Sequence, residues 1–183
     1  MIMDEEMKEV GIVVGTSETG KFVIALPKNT DVLENEYVVT GVYERDVKRE
    51  IVGRIMLMGA LSEILTQNTT YESLAKLVEK EIDVPKVYAE VETLGYLDGK
   101  SVRFPRNPPL PGVKVYRASK ELLDSFYYVG DMPLQIGTLL TREDVCINLN
   151  PKGFLRHIAI IGQTGSGKSY TTGVLIEELY EKG

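Results

Sequence analysis

The stretch His157-Ile158-Ala159-Ile160-Ile161-Gly162-Gln163-Thr164-Gly165-Ser166-Gly167-Lys168-Ser169 carries the most information about the fold. Its first part, His157–Ile161, is a continuous apolar run, as expected of a strand buried on both faces of a parallel sheet. A glycine-rich turn follows at Gly162–Gly167. Lys168–Lys182 then reads as a helix with Val174, Leu175 and Leu179 along one face. The order strand, loop, helix is the context in which the pattern G-x-x-x-x-G-K-[ST], matched in full by Gly162–Ser169, acts as a P-loop.

The chemistry of that pattern is specific. Glycines let the backbone wrap phosphate oxygens without Cβ clashes. Successive N–H groups form an anion nest, and the helix turns its positive end toward it. We expect ATP with Mg2+ as ligand. The nucleotide-binding candidates are Gly162, Gln163, Thr164, Gly165, Ser166, Gly167, Lys168, Ser169 and Tyr170. Lys168 is the expected catalytic clamp on the β- and γ-phosphates, and Ser169 the expected metal ligand. Tyr170 stands where many P-loop ATPases carry a small polar residue near the α-phosphate. A glycine-rich turn that binds nothing would not explain Lys and Ser together at a helix start. Hydrolysis also needs an acid for the metal and a group that orients water. Glu90, Glu92 and Glu143 read better as solvated strand or loop positions, and His157 as a structural residue.

Upstream, the chain is rich in strand signals. Val10–Val14 and Phe22–Leu26 are apolar β-formers separated by the turn-rich Thr16-Ser17-Glu18-Thr19-Gly20, which suggests a hairpin. Tyr37–Thr40 and Ile51–Met58 read as further strands, with Glu44–Glu50 as an exposed loop or strand end. Val87, Ala89 and Val91 alternate with Tyr88, Glu90 and Glu92, the period of a half-buried strand. Asp98-Gly99 turns that strand into Val102–Phe104. Thr69-Thr70-Tyr71-Glu72 fits a capping box, and Leu74, Leu77 and Val78 give a helical stripe behind it. Pro105, Pro108, Pro109, Pro111 and Gly112 read as a stiff connector. Ser119–Tyr128 suggests a short helix and Val145–Leu149 a strand. The expected division is a β-barrel over 1–104, a connector over 105–152 and the start of a P-loop ATPase domain over 153–183. Because a βαβ unit needs a second strand after its helix, the chain reads as a fragment of a longer protein.

Composition narrows the class. The 21 Lys and Arg stand against 27 Asp and Glu, a net charge of −6. That argues against a simple nucleic-acid-coating protein. The apolar share of 43% is enough for an ordinary core. The single cysteine, Cys146, excludes an internal disulfide and is expected as a buried core thiol in a reducing, cytoplasmic setting. The acidic N-terminus does not look like a signal peptide. The apolar stretch Ile55–Leu61 is far short of the ~20 residues a membrane-spanning helix requires.

An N-terminal β-domain leading into Arg156–Ser169 resembles the HerA family of DNA translocases, in the HerA–FtsK group. Val10–Gly15 and Gln135-Ile136-Gly137-Thr138-Leu139 look similar to that family's N-terminal HAS barrel and to the link into its ATPase core. The resemblance implies a mainly β, HAS-barrel-like domain followed by the first strand, P-loop and helix of a truncated α/β RecA-like ATPase domain. It implies an ATP-dependent DNA helicase or translocase that forms a homohexameric ring, draws double-stranded DNA through its pore and works with a NurA-like nuclease on double-strand breaks. Residue roles carry over only at Gly162–Ser169. The family's magnesium-site acid, arginine finger and pore residues have no counterparts among these positions, so this chain alone is expected to be inactive. Other hexameric P-loop ATPases with a leading barrel, of rotary-synthase or conjugation-motor type, remain open. So does a non-catalytic nucleotide-binding assembly module.

Overall fold

A computed structural model of the protein describes residues 8–62, 70–72, 75–76, 86–130 and 132–182. The chain divides into two compact units, Met1–Ala118 and Ser119–Gly183.

The first unit is built from β1 (Glu9–Val14), β2 (Lys21–Leu26), β3 (Tyr37–Glu44), β4 (Val47–Leu61), β5 (Lys86–Asp98), β6 (Ser101–Arg103) and β7 (Lys114–Arg117). The hydrogen-bonded order is β2-β1-β7-β3-β4-β5-β6, and an added β2–β5 pairing closes six of these strands into an antiparallel barrel. Ile12 faces Ala25, Ile24 faces Ala89, and Val39 faces both Val52 and Tyr116. Closure removes the open edges that a sheet of this size would otherwise present. β6 stands outside the ring as a hairpin arm on β5.

Period-2 patterning places the core. On β2, Phe22, Ile24 and Leu26 point inward, and the residues between them are more exposed. On β5, Ala89 and Val91 are buried as their alternation with Glu90 and Glu92 implies, and Thr93 continues the inward face. They meet Val10, Val13, Val38, Val42, Ile51, Ile55 and Val115 inside the barrel. The long strands β4 and β5 bend at register shifts between Val52 and Gly53 and between Ile55 and Leu57. Gly53 permits the first bend: a Cβ there would lie 2.5 Å from Val91 Cγ1.

Several segments differ from the sequence reading. Glu44–Glu50 takes the strand-end alternative and not the open loop. It is a hairpin whose central residues, Arg45 and Asp46, have φ of 49° and 65°. Positive φ at both positions is the type I′ geometry, which Asn-Gly usually announces and Arg-Asp does not. Within the expected connector, Lys114–Arg117 is a barrel strand, paired with β1 and β3. Its four residues directly follow the Pro-Gly segment and give too short a pattern to read. The preceding prolines are docked instead of free. The Glu44 carboxylate accepts the Arg106 and Asn107 N–H groups at 2.7 and 2.9 Å, and the Asn107 amide donates to the Tyr43 carbonyl at 2.8 Å. Tyr71, Glu72, Ala75 and Lys76 are helical. The cap residue Thr69, the stripe Leu74, Leu77 and Val78, and the acidic N-terminus Met1–Glu6 lie outside the described residues.

The second unit opens with a short helix, Lys120–Phe126, whose N-cap Ser119 accepts the Leu122 N–H at 3.2 Å. β8 (Leu134–Leu139) and β9 (Arg142–Leu149) form an antiparallel hairpin. Leu123, Leu134, Leu139 and Val145 are buried. A 3-10 turn, Pro151–Leu155, leads to the loop, and a long helix, Lys168–Lys182, ends the unit. The Glu178 carboxylate of that helix accepts the Gln135 N–H at 3.1 Å, and Lys182 donates to the Pro133 carbonyl. Cys146 is only half-buried. It sits on a two-stranded sheet, which covers its faces less completely than a core strand would.

The largest difference concerns His157–Ile161. This run does not form a strand, and Ile158 and Ile161 are 49% and 91% exposed. A strand exists only with a ladder to bond to, and no described residue pairs with this segment. Apolar runs encode burial, but the neighbouring strands must supply it.

Candidate nucleotide-binding loop

Gly162–Gly167 forms the turn into the long helix. Gly165 and Gly167 have φ of 81° and 84°, in the left-handed region where a side chain would be strained. Gly162 gives room of another kind. A Cβ there would lie 2.5 Å from Ser166 Oγ, so the Ser166 side chain would have to turn aside for any larger residue. The Ser166 N–H donates to the Gln163 carbonyl at 3.2 Å, and the Thr171 N–H closes the first helical turn on the Gly167 carbonyl at 2.9 Å.

Lys168 is half-buried, and its ammonium lies back over the loop. Its Nζ donates to the Gly162 carbonyl at 2.9 Å and to the Gln163 carbonyl at 2.6 Å. Lys168 thus staples the start of the loop to the start of the helix. Ser169 and Tyr170 are exposed beside it. Thr172, which the sequence reading passed over, donates its hydroxyl to the Lys168 carbonyl at 2.9 Å and fixes the backbone of that residue. Its only sequence signal is a hydroxyl residue one helical turn after the lysine.

The electrostatics favour an anion. The first N–H groups of any helix lack intrahelical partners, and the helix end carries a partial positive charge. No acidic residue stands in the first turn of this helix to neutralise it. The turn therefore combines oriented N–H donors, two left-handed glycines and an ammonium, a donor set that suits a phosphate chain.

The other sequence candidates lie elsewhere. Glu90 and Glu92 are on barrel strand β5, where Glu92 pairs with Arg54 at 3.0 Å. Glu143 is exposed on β9, and His157 is exposed in the segment before the loop. Among the described residues, no group of three or more His, Cys, Asp or Glu is placed to hold a metal ion. No described helix is long and apolar enough to cross a membrane.

Comparison with known proteins places this geometry in context. Residues 134–183 match the family "Helicase HerA, central domain". A probable helicase of Methanocaldococcus jannaschii is 41% identical over 113 residues, covering 61% of this chain and 20% of that protein. A probable DNA double-strand break repair helicase HerA of the same organism is 34% identical over 147 residues, 69% of this chain and 29% of that protein. The DNA double-strand break repair helicase HerA of Pyrococcus furiosus is 30% identical over 178 residues, 94% of this chain and 31% of that protein. The chain therefore spans about a fifth to a third of the length of these relatives. Through these matches the chain is a relative of the HerA helicases over most of its length.

Proposed function

We propose that the chain is the barrel and ATP-binding part of a HerA-type DNA translocase. The observation that carries this reading is the Gly162–Ser169 loop at the start of a helix, within the segment that matches the HerA central domain. In this reading residues 1–118, closed by strand β7, form an assembly barrel, 119–152 connect it, and 153–183 begin the P-loop domain. The N–H groups of Gly165, Gly167, Lys168 and Ser169 hold the phosphates. Lys168 leaves the Gly162 and Gln163 carbonyls to clamp the β- and γ-phosphate oxygens, and the Ser169 hydroxyl would hold Mg2+, which would supply positive charge beside the phosphates. The magnesium-site acid and an arginine finger come from outside these 183 residues. The whole motor is a cytoplasmic homohexamer that moves double-stranded DNA and supplies ends to a NurA-like nuclease.

The test is the Lys168→Ala variant in the full-length protein. ATP hydrolysis is expected to be lost, with the barrel still folded by circular dichroism. Undiminished turnover would refute the assignment. The 183-residue chain by itself should show little hydrolysis, because an arginine finger alone is worth about 10³–10⁵ in rate. Robust, Lys168-dependent turnover by this chain would contradict that expectation.

A further inference from the structure

Closure of the barrel spares two stretches of strand that run past their neighbours. The first is the end of β4. β3 pairs with β4 only as far as Arg54, and Ile55 then bonds to Asn35 and Glu36. From Leu57 to Leu61, β4 pairs with β5 alone. The Met58 N–H points to the other side, where it donates to the Glu34 carboxylate at 3.1 Å. By the alternation of an antiparallel ladder, Ala60 turns its N–H and C=O the same way. The second stretch is β6. Asp98 and Ser101 pair across a two-residue turn, so Val102 directs its N–H and C=O away from β5. Among the described residues, no strand lies beside either edge.

Both edges are apolar, where exposed strand edges are ordinarily charged or covered. Leu57 and Leu61 are 43% and 56% exposed, and Val102 and Phe104 are 45% and 54% exposed. The edges also complement each other in charge. Glu34 and Glu90 flank the first, and Arg103 lies on the second. Set antiparallel with Ala60 opposite Val102, Met58 meets Phe104, so the apolar side chains share one face. Arg103 then comes beside Gly59, on the face that carries Glu90. We propose that the β4 edge of one copy receives β6 of the next copy in this register, so that one barrel's sheet continues into its neighbour's. The proposal rests on the assembly reading of the barrel and names its contact. The two edges lie on different strands, so the pairing is head-to-tail, the arrangement a ring requires. In a copy standing alone, the Glu34 carboxylate caps the Met58 N–H and blunts the edge.

The experiment traps the contact in the full-length protein, with Cys146 and any further cysteine replaced by serine. In the proposed register Leu61 faces Ser101 in a non-hydrogen-bonded pair, with Cα atoms about 4.5 Å apart, inside the range a disulfide spans. Chains carrying Leu61→Cys are co-expressed with chains carrying Ser101→Cys and oxidised. A cross-link between the two kinds of chain is expected. Leu57→Cys with Ser101→Cys should give none, since position 57 lies roughly 13 Å further along the strand. Adding Ala60→Pro to the Leu61→Cys chain should abolish the cross-link, because it removes an outward N–H while sparing the ladder to β5. The pairing is overturned if Leu61→Cys cross-links no better than Leu57→Cys, or if the cross-link survives Ala60→Pro. Native mass spectrometry of the unaltered protein separates this from the broader reading. Assembly without the cross-link removes only the strand pairing, whereas a monomer removes the assembly reading and the pairing with it.

Discussion

Glu44 shows how much one side chain can organise. It ends a barrel strand, is 9% exposed, and accepts two backbone N–H groups from the proline-rich segment. Hydrogen bonds to a charged acceptor are worth about 1.5–3 kcal/mol, and two donors left without a partner cost their desolvation as well. Glu44→Ala should lower stability by about 2–4 kcal/mol in urea unfolding, with Glu44→Gln less severe because its carbonyl oxygen can still accept. Equal stability of the alanine variant would show that water replaces the carboxylate. Asp31 makes a subtler case. A hydrogen bond from Lys8, with Arg117 nearby, holds its carboxyl below the ordinary 3.8. The native state therefore favours the carboxylate. Its small contribution to stability is present above the ordinary carboxylate range and fades as pH falls through the lowered value. Because the group is exposed, salt should screen the effect. NMR titration should find the Asp31 midpoint depressed, and Lys8→Ala should move it upward; an unmoved midpoint would assign the shift to another cause. Neither role was legible from sequence, since Glu44 meets Arg106 and Asn107 across 62 and 63 residues of chain.

At the scale of elements, local periodicity was informative wherever a strand is buried on one face. The inward Ala89 and Val91, the Phe22–Leu26 strand, the hairpin turn after Asp98 (at Gly99 and Lys100, one residue later than expected) and the helix from Lys168 all follow from local pattern. It was uninformative where the decisive partner is distant, as for Lys114–Arg117, or where the turn residues are unusual. The Arg45-Asp46 turn belongs to the second group. A non-glycine residue in the left-handed region costs roughly 1–2 kcal/mol, although Asp tolerates it better than most. Replacing the pair with Asn-Gly keeps the type I′ geometry and relieves that strain. The double variant should be about 1 kcal/mol more stable in urea, with an unchanged m-value. A loss of stability would mean that the Arg45 or Asp46 side chain makes contacts worth more than the strain. His157–Ile161 teaches the opposite limit. Its apolar pattern states that the segment should be buried, but pattern alone cannot supply the strands that bury it.

The whole molecule raises the question of what the barrel is for. Its surface charges are largely matched against one another. Arg49 and Arg103 both approach Asp98, Arg54 pairs with Glu92, Lys114 with Glu9, Lys8 with Asp31, and Arg117 with Asp31 and Glu36. The exposed pairs among these add little stability, about 0–1 kcal/mol each, while Glu36 is buried where it meets Arg117. Their consequence is electrostatic: cations engaged by acids do not form a continuous basic path for a phosphate backbone. Along the sequence too, Arg45, Lys48, Arg49 and Arg54 are interleaved with Glu44, Asp46 and Glu50. Mixed charge suits a rim between protein subunits, where complementary patches set register. We therefore expect residues 1–118, the compact barrel unit, to bind duplex DNA only weakly and without sequence preference. If the proposed hexamer is assembled through the barrel, deleting this unit from the full-length protein abolishes that assembly or its contact with a partner, as read by native mass spectrometry. Binding measured at low and physiological salt separates the alternatives, because a phosphate-tracking surface loses affinity steeply as salt rises. Tight, strongly salt-dependent DNA binding by the barrel, together with an intact ring after its deletion, would make it a DNA-gripping domain and overturn its assignment to assembly.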